Sequence, residues 1–140
     1  MDAKSVIKIK SYKDEKREKL DYQLARKSAI YLLRLESLIL AIILLYLTYE
    51  FFTATVTVVS AAVAEIVFSA LGAVGMYFAS TGYVKERSYG RAPAVLANLI
   101  ALGVSYYMIT GKLLTFGIPL ALLALATIVC AIAGYRENKN

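Results

Sequence analysis

Polar and apolar positions fall along this chain in long blocks. A charged stretch occupies residues 1–28, and four apolar blocks follow at about 29–52, 56–83, 92–109 and 113–135. Short polar connections separate them, and residues 136–140 are polar again. About 20 helical residues cross the roughly 30 Å hydrocarbon core of a bilayer, so each block is long enough to span it. The pattern predicts an all-α integral membrane protein with four transmembrane helices in two antiparallel hairpins. A basic N-terminal helix is expected to extend from the membrane ahead of them. The longest run, residues 53–83, is almost wholly apolar or small, with one carboxylate, Glu65, near its middle.

The first block is not periodic throughout. Ile7-Lys8-Ile9-Lys10 alternates as a short extended segment would. From Ser11 the signals turn helical, with Ser11 as a cap, Asp14 and Glu15 in the first turn, and Glu15 four residues before Lys19. No proline or glycine interrupts residues 11–53, so one helix is expected to run from solvent into the first span. Leu20, Leu24, Lys27 and Tyr31 give this segment a partly apolar stripe, as in an interfacial helix or a docking helix. The start does not read as a secretory signal, because the charged region is too long and the apolar run exceeds a signal core.

Within the spans, small residues mark faces that let helix backbones approach closely. Ser69, Gly72, Gly75 and Ala79 follow Glu65 at three- and four-residue spacing, and that face of span two is expected to be buried. Span three offers Ala94, Ala97, Asn98, Ala101 and Ser105, and span four Gly117, Ala121, Ala124, Ala131 and Gly134. Arg34 and Glu36 are expected at the entrance of span one, reaching the headgroups. The polar tail 136–140 is expected to follow span four into the cytoplasm.

Charge orients this arrangement. The net charge is +6, and 15 of the 16 lysines and arginines lie before residue 35, between spans two and three, or after span four. The positive-inside rule therefore places both termini in the cytoplasm, with the protein in the cytoplasmic membrane. Anionic lipid headgroups account for this bias, and no nucleic-acid partner is expected. With no histidine and a single cysteine, Cys130, the chain offers no His/Cys metal site, no histidine-held haem and no internal disulfide. No cofactor, metal or catalytic residue is expected.

The chemistry that the sequence does offer is Glu65. A charged carboxylate in hydrocarbon costs several kcal/mol, so Glu65 must face the interior, be protonated or find a partner, with Asn98, Ser69 or a tyrosine hydroxyl as candidates. Ala64-Glu65-Ile66 in an alanine-rich span is similar to the intramembrane glutamate segment of small multidrug-resistance transporters. Those proteins carry the glutamate in the first of four spans; here it is in the second, behind a long basic helix, and the pattern departs from that family. The expected role is a non-catalytic structural or accessory subunit of a larger membrane or lipid-containing assembly, packing against other subunits or itself. The alternative is a small oligomeric proton- or cation-coupled transporter or channel using Glu65.

Overall fold

In the computed structural model, which describes residues 3–55 and 57–135, all secondary structure is helical. Helix α1 spans Ala3–Thr53, α2 Val59–Val84, α3 Arg91–Thr110 and α4 Leu114–Ala133, with a short 3-10 turn at Ser88–Gly90 before α3. All four are long and apolar enough to cross a membrane. Val56 and the tail 136–140 lie outside the described residues.

The first helix is longer than the sequence signals imply. Residues 7–10 are helical, and Ser11 sits inside the helix rather than capping it. A lone four-residue alternation has no neighbouring strand to pair with, so helix propagation from the lysine- and glutamate-rich segment overrides it. Helix α1 therefore has 51 residues, about 75 Å end to end. The helix α2 begins at Val59, later than position 56, because the β-branched run around Thr55 and Thr57 favours the connection.

Helix α1 packs against α2 and α4, and α3 packs against α4. The contacts bring Arg26 of the basic N-terminal segment to the end of the bundle that carries the loop between α2 and α3. There Arg26 meets the last turn of α2: its Nε donates to the carbonyl of Tyr83 at 2.7 Å and its guanidinium to that of Val84 at 2.9 Å. The same guanidinium pairs with Glu86 in the following turn. A cation on the free carbonyls of a helix C-terminus satisfies orphan acceptors and complements the helix dipole. Further along, Ser37 donates to the carbonyl of Ala73 at 2.8 Å, and the Tyr83 hydroxyl donates to that of Ala131 at 2.7 Å. Ala29, Leu33, Met76, Ala79, Ala94 and Ala131 form the buried core between these polar links.

Close approach depends on three glycines at this end. A Cβ on Gly134 would lie 2.7 Å from the Cα of Arg26, and one on Gly82 would lie 2.8 Å from the Cα of Gly90. A Cβ on Gly90 would meet the carbonyl oxygen of Ala79 at 2.5 Å. Gly75 and Gly103, by contrast, face open space. The small face of α2 is thus split: Ala79 is buried, Gly72 touches Leu40, Ser69 is half-buried, and Gly75 points outward. Ala124 is buried in α4 and Ala121 is half-buried.

Because the obstacle at Gly134 is backbone, Gly134→Ala should destabilise the bundle by about 1–3 kcal/mol, the usual cost of overpacking. Gly75→Ala should leave stability unchanged or raise it by up to about 1 kcal/mol through helix propensity. Thermal unfolding of the two variants in one detergent checks the contrast.

Candidate functional site

The carboxyl group enclosed within the bundle, among the described residues, is that of Glu36 and not Glu65. Glu36 lies ten residues from Arg26 along α1, a helix rise of about 15 Å, and only 7% of it is exposed. It faces inward because it shares a helical face with Ala29, Leu33 and Leu40, which pack against α2, α3 and α4. Asn98 of α3 donates its Nδ2 to Glu36 Oε2 at 3.1 Å and to the carbonyl of Ala94 at 3.0 Å. Thr127 of α4 approaches Glu36 Oε1 at 2.5 Å and the carbonyl of Leu123 at 3.0 Å. Asn98 and Thr127 are themselves 2% and 0% exposed.

Thr127 carries one hydroxyl proton and has two acceptors within reach. When it donates to Glu36, a carboxylate fits. When it donates to Leu123, the short contact needs a proton from Glu36. The site therefore seats either form of the acid. No lysine or arginine among the described residues pairs with Glu36; its partners are an amide and a hydroxyl. Every buried side-chain nitrogen and oxygen among the described residues has a hydrogen-bond partner, as a low-dielectric interior requires.

Beside this node lies an apolar cavity of about 310 Å³ to which all four helices contribute, including Leu40, Ile43, Met76, Ala97, Ala101 and Ala124, with Glu36 and Asn98 on its wall. Glu65 does not border it. That residue lies in the second turn of α2, exposed, in a separate hollow with Glu50 and Phe51 near the far end of α1. The late start of α2 places it about 9 Å from the helix end, where a carboxyl can reach out of the apolar layer. Asn98 is thus brought to Glu36, and the expected pairing with Glu65 is not formed.

Residues 4–21 of α1 make a second feature. They extend from the bundle, every one of them exposed, including Ile7 at 68% and Tyr12 at 67%, with Glu18 and Asp21 bordering the end of α4 in a hollow shared with Ala133 and Tyr135. Arg26 and Gly134 mark a close backbone approach to the other helices at the base of this arm. Comparison of the chain with protein families, curated proteins and solved structures finds no match.

Sequence reasoning missed the Glu36 node, though two signals could have located it. Asn98 and Thr127 are polar positions on small-residue faces, and Glu36 lies on the face that carries Ala29 and Leu33. The uninterrupted α1 hid the third partner, because nothing in its sequence marks where the bundle begins.

Removing one partner should leave the other buried and unsatisfied. Glu36→Met and Asn98→Leu should each cost about 1–3 kcal/mol. In a double-mutant cycle they should couple by about 0.6–1.7 kcal/mol, the range known for hydrogen bonds between membrane helices. Glu65→Gln should stay within about 0.5 kcal/mol of the parent. Reversible unfolding in mixed micelles measures all three.

Proposed function

We propose that this protein is a membrane-embedded anchoring subunit. In this reading its four helices form two antiparallel hairpins with both termini in the cytoplasm, and the N-terminal arm of α1 presents a docking surface to a partner with an acidic face. The supporting observation is the arm: a helix that continues the first span without a break and stays exposed along residues 4–21.

Distance favours a macromolecular partner over headgroups for most of the arm's charge. Ala3 lies 23 residues beyond Arg26, about 35 Å along the helix. A span tilted by about 20°, typical of membrane helices, shortens that reach only slightly. The Debye length is about 8 Å at physiological ionic strength, so lysines near the tip are screened from the bilayer. Lys4, Lys8, Lys10 and Lys13 share the tip with Val6, Ile7, Ile9 and Tyr12, and no acid lies between Lys4 and Lys13. Charge of this kind steers association, and the apolar side chains supply buried area once contact is made. A 20-residue helix is marginal by itself, so continuity with a packed span also keeps the arm preformed.

The central cavity favours a second reading, a proton- or cation-conducting bundle, in which Glu36 and not Glu65 is the working carboxylate. Flux through liposomes that Glu36→Gln abolishes would support it in place of anchoring.

The anchoring role is tested by deleting residues 1–20, which spares Arg26 and the bundle, and by reversing Lys4, Lys8, Lys10 and Lys13 to glutamate in the full chain. Both variants should insert and melt like the parent. Both should lose the protein that crosslinks to a photoreactive residue at Tyr12, or at residue 24 in the deletion, in native membranes. An unchanged crosslinked and co-purifying set would reject the docking role.

A further inference from the structure

We infer that the groove at the start of α3 is a binding site for an anionic phospholipid, with Arg91 holding the phosphate. The open groove lies between α3 and the end of α4 and has a volume of about 510 Å³. Its walls are Val95, Leu96, Leu99 and Ile132, with Arg91 and Tyr135 at the basic end. This inference does not depend on what the arm docks.

Three observations converge on that ligand. First, the Arg91 guanidinium lies over the Tyr135 ring, 4.9 Å from its centroid. Stacking fixes the plane of the guanidinium and leaves its N–H edge free for a bidentate acceptor. Among the described residues Arg91 makes no ion pair, whereas Arg26 nearby is fully engaged by Tyr83, Val84 and Glu86. The planar fork matches two oxygens of one phosphate. Second, Arg91 heads α3 next to the loop that carries Lys85 and Arg87, at the end of the bundle where Arg26 of α1 also lies. Its headgroup level is therefore positive, which favours a lipid of net negative charge over a zwitterionic one.

Third, the walls below Arg91 are apolar and outward-facing. Leu96 and Leu99 are 62% and 53% exposed, and Leu99 lies eight residues along α3, about 12 Å from Arg91. A phosphate at the mouth and an acyl chain along the walls fit the same groove in the direction in which a lipid lies in the bilayer. The neighbouring hollow, lined by Glu18, Asp21, Tyr22, Ala133 and Tyr135, carries two acids and is unsuited to a phosphate.

The test uses the full-length protein in nanodiscs that mix phosphatidylglycerol and phosphatidylcholine, with retained lipid counted by native mass spectrometry. The parent should hold one phosphatidylglycerol in preference to phosphatidylcholine, and added inorganic phosphate should not displace it. Arg91→Gln should lower retention at least tenfold. Arg91→Lys, which keeps the charge but loses the fork, should lower it several-fold, and Arg87→Gln should leave it within twofold. Ala92→Phe fills the groove without touching Arg91 and should also lower retention at least tenfold; it decides the matter if the Arg91 variants do not fold. Equal losses in Arg87→Gln and Arg91→Gln, equal retention of phosphatidylcholine, displacement by inorganic phosphate, or full retention in Ala92→Phe would each overturn the site.

Discussion

A carboxyl group buried among apolar helices sets the terms for the rest of this structure. Glu36 cannot be left among hydrocarbon side chains without several kcal/mol of cost. Its two oxygens are satisfied by Asn98 from α3 and Thr127 from α4, so three helices must meet for the group to be accommodated. Lipid cannot substitute for these partners in the apolar core. The node therefore specifies which faces come together, where apolar packing alone would tolerate several arrangements. Small residues complete the choice. Ala94, Ala124 and Ala131 bring the helices close enough for short polar side chains to reach one another.

The same logic explains how α1 is held where it leaves the bundle. Arg26 occupies the carbonyl end of α2, and Gly134 lets α4 come to backbone distance of Arg26. Glu36 fixes the helix at one level and Arg26 fixes it again about 15 Å away. Two separated attachments restrain both the rotation and the tilt of a helix. The residues beyond Arg26 inherit that direction, so the exposed arm is aimed by interactions buried well behind it. The proposed anchoring role rests on this geometry.

Much of the architecture was legible in the sequence. The apolar blocks, the absence of helix breakers from residue 11 to 53, and the small-residue faces each follow from length and periodicity. The carboxylate was misplaced for an identifiable reason. Hydropathy locates the start of an apolar run, which in α1 is not where the helix joins the bundle. Glu36 therefore looked interfacial and Glu65 looked central, whereas contacts with α3 and α4 bury the first, and the late start of α2 leaves the second near an end. Periodicity likewise put Gly72 and Gly75 on one small face. Which member of such a face meets a neighbour depends on crossing geometry, and Leu40 reaches Gly72 while Gly75 stays clear. Arg26 was visible as one basic residue among many; its role as a cap depends on tertiary placement that charge counting does not reveal.

The central claim is that the arm and the first span are a single rigid helix rooted in the bundle. It is tested most directly by electron–electron spin-distance measurement in nanodiscs, with labels at Lys8 and Tyr31 in a chain whose Cys130 is replaced by alanine. A continuous helix places these 23 residues apart at about 35 Å and predicts one narrow distance distribution there. A broad distribution, or one centred well below about 30 Å, would contradict it.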